Sequence, residues 1–179
     1  PVPTFARWLD RVLADDQEGL VSDADREALH GLRNLAWIED EEEAEALRTC
    51  LLGLAAHYFL FARAADGRPV DPVARFHLGN GARLDRINWL GDVSEKGLRE
   101  AHGLMVNYRY DLKEIERNHE AYANEGEVAA SRAVRQLTKI PPRPKTKIPA
   151  PKTLLALPLR ERTPETEPPV KSPASDKEA

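Results

Sequence analysis

The sequence predicts an α+β domain: helices first, then a small antiparallel or mixed sheet, then a disordered C-terminal tail. Three observations carry this. Apolar residues recur at helical spacing through the first sixty or so positions. From Val73 to Tyr110 the polarity alternates instead, as in strands. Ten of the fourteen prolines then fall between Pro141 and Pro173, among Lys, Thr, Glu and Ser. Such a segment buries too little apolar surface to offset its ordering entropy. The expected division is a folded part, 1–138, and a tail, 139–179.

Phe5, Trp8, Leu9, Val12 and Leu13 define a first helix from about Thr4 to Ala14. Ser22-Asp23-Ala24-Asp25 resembles a capping box, opening a helix with Leu29, Leu32, Leu35 and Ala36 in its stripe. The acidic run Glu39 to Glu43 suits a helix N-terminus, where carboxylates favour the macrodipole. Leu47, Leu51, Leu54, Ala55, Tyr58 and Phe61 line the helix that follows, expected to end near Gly67-Arg68-Pro69. Val73–Leu78 and Ala82–Leu90 read as strands joined by the turn Gly79-Asn80-Gly81, a hairpin with Phe76 and Trp89 in the core. Ser94 caps a short helix reaching Ala101, and Gly103 ends it. Leu104, Val106, Tyr108 and Tyr110 share one face of a third strand. A charged helical stretch follows, and a last helix covers Glu127 to Leu137.

Composition narrows the function. The net charge of −4 and pI near 5.8 argue against nucleic-acid binding, which favours a basic surplus. The single cysteine, Cys50, excludes a disulfide framework and reads as a buried structural thiol. No apolar run reaches the ~20 residues that span a bilayer, and no signal peptide is visible. The expected location is cytoplasmic, with no membrane partner. The chain opens on Pro1 rather than Met, so it is expected to be a fragment or a processed product.

No phosphate loop, CxxC, HExxH or GxSxG motif occurs, and no two of the five histidines have metal-ligand spacing. No metal or cofactor is expected. His30 and His57 fall within helices, His119 in an exposed stretch, and His102 where a cation would suit a helix end. His77 differs. It stands in the first expected strand, with Asn80 in the turn, Asn88 in the second strand, and Asn107 and Tyr110 in the third. A histidine ionises near neutrality and serves as general acid or base. Ser22 and Ser94 look like caps, so no nucleophilic partner is apparent. The residues alone stop at an acid–base candidate.

The wording of the sequence goes further. PVARFHLGNGARLDRINWLGDVSEKGL and GLMVNYRY closely resemble the C-terminal catalytic region of malonyl-CoA decarboxylases, and PVPTFARWL resembles that family's SPxPxFxxWL block. The resemblance covers about Pro1 to Leu137. It implies a GNAT-like acyl-CoA-binding fold, here its C-terminal half, and a full-length homo-oligomer. It implies conversion of malonyl-CoA to acetyl-CoA and CO2 without a cofactor. The family's histidine of the FH block matches His77, and its tyrosine closing VNYxY matches Tyr110. Its catalytic serine would stand immediately before Pro1, so the isolated chain is expected to be inactive. Asn80 and Asn88 are further candidates for substrate binding. Where family members often carry serine, this chain has Ala101. Two other readings remain: a GNAT-type acyl-CoA transferase, and a non-catalytic interaction module.

Overall fold

A computed structural model describes residues 2–16 and 19–139. The expected tail, apart from Lys139, lies outside the described residues, as does Pro1. The described part is mostly helical, with a two-stranded antiparallel sheet.

Helix α1 (Phe5–Ala14) buries Phe5, Trp8 and Leu9. Helix α2 (Asp23–His30) starts where expected: the Ser22 hydroxyl accepts from Asp25 N–H at 3.1 Å. Its expected continuation through Leu35 is instead two short 3-10 turns, Gly31–Arg33 and Leu35–Ile38. Helix α3 (Glu41–Leu60) is capped by Asp40, which accepts from Glu42 and Glu43 N–H at 2.9 and 3.0 Å. Its C-terminal half is buried almost all round, through Leu54, Ala55, Ala56, Tyr58, Phe59 and Leu60, which makes it the centre of the core. The expected stripe overran. Phe61 is exposed, and from Ala62 to Val70 the chain makes a tight turn bridged by Arg63 and Pro69.

The main correction concerns 73–78. Helix α4 (Pro72–Gly79) occupies this segment, not a strand, so the expected hairpin does not exist. Asp71 caps it, accepting from Ala74 N–H at 2.8 Å, and Pro72 sits in the first turn, where its missing N–H costs nothing. Ala74 and Leu78, four residues apart, face the core. Phe76, expected to be buried with them, is 65% exposed. A strand would align 74, 76 and 78; a helix turns residue 76 by about 200° from 74. Gly81, at φ +77°, passes the chain into the sheet, where an added Cβ would lie 2.3 Å from the Ile115 carbonyl oxygen.

Strand β1 (Arg83–Asn88) pairs with β2 (Met105–Arg109). A bulge at Asp85 shifts the alternation by one residue, so Leu84 and Ile87 both face the core. Between the strands, α5 (Glu95–Ala101) is capped by Ser94 as expected. After β2 come α6 (Ile115–Glu125) and α7 (Arg132–Leu137). The last helix is shorter than expected. Residues 127–131 lie outside the helix, and Leu84 pairs in parallel with Ala130 along the other edge of β1. Trp89 is only half-buried, tilted against Trp37 at 5.8 Å. Cys50, expected to be buried, is likewise only half-buried.

His102 takes the left-handed conformation that ends α5, and its ring meets the edge of Phe5 at 6.3 Å. Its Nδ1 is buried without a partner among the described residues. Burial pushes its pKa down to about 4, with Asp10 opposing weakly, so it is neutral at pH 7 and not the helix-end cation the sequence suggests. The unfolded chain holds a proton on this histidine below pH ~6.5, while the folded chain resists it until about 4. Stability is therefore full above pH ~6.5 and falls as pH drops toward 4, by on the order of 2–3 kcal/mol. Melting curves from pH 4 to 8 should show this loss flattened in His102→Gln; an unchanged slope would refute the assignment.

Candidate active site

Two elements make the site. Strand alternation puts Val106, Tyr108 and Tyr110 on one face, as the sequence predicts, and α4 crosses that face. His77, in the last turn of α4, lies on Tyr108. Their rings stack at 4.3 Å with 16° between planes. The Tyr110 hydroxyl is 2.9 Å from His77 Nδ1. Phe76 adds an edge contact to the imidazole at 5.3 Å. His77 is half-buried, Tyr110 is 45% exposed, and the pair opens to solvent.

These contacts hold the plane of the imidazole and engage its Nδ1. If the phenol donates to Nδ1, the ring proton sits on Nε2, the nitrogen Tyr110 does not engage. The Tyr108 hydroxyl is buried with no hydrogen-bond partner among the described residues. Burial raises its pKa far above the usual phenol range, and Asp71 and Tyr58 push the same way. It stays protonated and acts as a flat platform.

The remaining candidates separate from this pair. Asn80 caps the end of α4, donating from Nδ2 to the Phe76 carbonyl at 2.8 Å. Asn88 donates to Asn107 Oδ1 at 2.6 Å. Asn107 alternates with Tyr108, so both amides lie on the sheet face opposite His77. Ala101 is buried in α5. His119 contacts the Gly79 carbonyl at 2.6 Å, bracing the end of α4. No group of three His, Cys, Asp or Glu side chains is arranged to hold a metal among the described residues. No described helix is long and apolar enough to cross a membrane.

The sequence reading missed Asp71. Its carboxylate is buried at 2% exposure and accepts from the Thr4 hydroxyl at 3.2 Å and the Tyr58 hydroxyl at 3.4 Å. Thr4 and Tyr58 also contact each other, so two hydroxyl protons are shared over three contacts. Burial raises the Tyr58 pKa well above the phenol range, with the Thr4 bond opposing. The signal available was Asp-Pro at 71–72, a helix-start pair.

Tyr110→Phe and Tyr108→Phe should behave differently. The first removes the hydroxyl at Nδ1 and should cost stability no more than the ~1 kcal/mol of one hydrogen bond. The second removes a buried hydroxyl with no partner among the described residues and keeps the stack, so the melting temperature should hold or rise. A marked drop in melting temperature for Tyr108→Phe would reveal a partner for that hydroxyl.

Comparison with known proteins places the chain in a family. A family model of the malonyl-CoA decarboxylase C-terminal domain matches residues 1–148. Proteins named mitochondrial malonyl-CoA decarboxylase from Anser anser anser and Rattus norvegicus are each 36% identical, over 152 and 155 residues. These matches cover 75% and 76% of this chain but 30% and 31% of the relatives. The crystal structure of malonyl-CoA decarboxylase from Rhodopseudomonas palustris is similar at TM-score 0.74 and 53% identity, over 76% of this chain and 31% of that one. The Agrobacterium vitis structure gives TM-score 0.74 and 56% identity, over 77% and 34%. The chain thus spans about a third of the length of these relatives. It belongs to the malonyl-CoA decarboxylase family, and matches that family's C-terminal domain.

Proposed function

We propose that the protein containing this chain decarboxylates malonyl-CoA to acetyl-CoA and CO2, with His77 and Tyr110 as its catalytic groups. The contact of the Tyr110 hydroxyl with His77 Nδ1 is the observation that carries this reading, because it joins two sequence blocks 33 residues apart. Loss of CO2 breaks the bond between the carboxylate carbon and the methylene, leaving the electron pair as a thioester enolate. The enolate oxygen needs a hydrogen-bond donor, and the carbon needs a proton. With Tyr110 donating to Nδ1, His77 holds a proton on Nε2 and delivers it to the carbon, and solvent restores it. The thioester delocalises the charge, so the step asks for no metal or organic cofactor.

Asn80, three residues beyond His77, is carried forward as the substrate-side amide; Asn88, behind the sheet, is not. The GNAT-like label is supported by β2, whose outer edge has no strand partner among the described residues and suits a larger acyl-CoA-binding sheet. A homo-oligomer, a role in fatty-acid metabolism and a cytoplasmic site complete the reading, although the vertebrate relatives are named mitochondrial. Residues 139–179 are proposed to be dispensable: deleting them should leave melting temperature and turnover unchanged, and a loss of most activity would reject that.

The test is to incubate full-length protein with malonyl-CoA labelled in its free carboxylate. Labelled CO2 with stoichiometric acetyl-CoA supports decarboxylation. Malonyl transfer to an added amine without CO2 would favour the transferase, and neither product would favour an interaction module.

A further inference from the structure

Asp71 does more than its position as a helix cap requires. Asp40 caps α3 with an exposed carboxylate, whereas Asp71 caps α4 from inside the core. Burying a carboxylate is unfavourable unless its lone pairs are satisfied. Here they are met without a cation: no ion pair reaches Asp71 among the described residues. One oxygen takes the Ala74 N–H. The other takes the Thr4 and Tyr58 hydroxyls. The donors come from three places in the fold: the residue before α1, the last turns of α3, and the first turn of α4. Val2 and Phe5, on either side of Thr4, are buried, so the segment before α1 is itself anchored. The knot therefore ties the start of α4 to two fixed elements. His77 lies six residues along that helix, about 9 Å up its axis.

We propose that Asp71 is a positioning residue for His77: its bonds to Thr4 and Tyr58 set where α4 lies across β2, and so keep the imidazole flat on Tyr108 with Nδ1 at the Tyr110 hydroxyl. The inference rests on the reading of His77 given under Proposed function. Without this knot, α4 keeps its apolar contacts through Ala74 and Leu78 and the His119 brace at its far end, but its start is free to slide or roll by a fraction of a turn. A shift near 1 Å at the reacting group is enough to cost on the order of 100-fold in rate.

The test uses full-length protein and labelled malonyl-CoA. Asp71→Ser keeps an N-cap oxygen for α4 but does not reach Thr4 and Tyr58. It should lower kcat roughly 10- to 100-fold with KM within about twofold, below its melting temperature. Asp71→Asn, which keeps the shape and lets both hydroxyls turn as acceptors, should recover most of kcat. In a His77→Ala background, Asp71→Ser should cost nothing further, because a positioning residue acts only through the group it positions. Normal kcat in folded Asp71→Ser, or a further full loss in the His77→Ala background, overturns the inference while leaving His77 in place. Full activity in His77→Ala overturns both readings. Should Asp71→Ser not fold, Tyr58→Phe removes that hydroxyl's contacts with Asp71 and Thr4 and decides instead: kcat reduced a few-fold, with the same background test, supports the role, and unchanged kcat overturns it.

Discussion

His77→Ala in the full-length protein should cut CO2 release from malonyl-CoA by a factor on the order of 10²–10⁴, the usual range for a general acid–base group. The fold should hardly notice. His77 is half-buried, and the core contacts of α4 come from Ala74 and Leu78. Alanine is a better helix former than histidine, which partly offsets the lost stack on Tyr108. The melting temperature should move by only a few degrees, while turnover collapses. Early melting with a normal rate per folded molecule would instead make His77 a structural residue, and the proposed chemistry would have to find another proton source.

The second large effect separates the two readings of residues 73–78. Phe59→Ala should destabilise by roughly 3–5 kcal/mol, because Phe59 is 1% exposed in the middle of the core and edge-on to Tyr58 at 5.1 Å. Phe76→Ala should change stability by no more than ~0.5 kcal/mol, because the ring is 65% exposed. A hairpin strand would bury Phe76 together with Ala74 and Leu78, and the two substitutions would then cost similar amounts. Urea midpoints compared at equal m-value measure the difference directly. A large loss in Phe76→Ala would return this segment to a strand. Trp89, half-buried against Trp37, should fall between the two.

Legibility followed length and local chemistry. Helix α3 runs 20 residues and α1 runs 10, long enough for the helical period to stand out, and Ser22 and Ser94 marked helix starts through their own hydroxyls. Strand β2 showed in its alternation, which placed Tyr108 and Tyr110 together on one face. The eight residues of α4 misled because V-A-R-F-H-L alternates in polarity and also offers an i, i+4 apolar pair. Asp71-Pro72 was the local signal that should have decided it.

By itself the sequence determined the helix starts, the tyrosine face of β2, and the family blocks that single out His77 and Tyr110. Each is written in neighbouring residues, whose spacing or hydrogen bonding acts over a turn or a strand. Only the tertiary structure decided that His77 arrives from a helix and stacks on Tyr108, that Asn88 sits behind the sheet, that Phe76 faces outward, and that the Asp71 carboxylate is buried with Thr4 and Tyr58. Which face a short segment buries depends on the surfaces it meets. Tyr58 and Asp71 are 54 and 67 residues from Thr4 in the chain, and no local pattern records that packing brings them together.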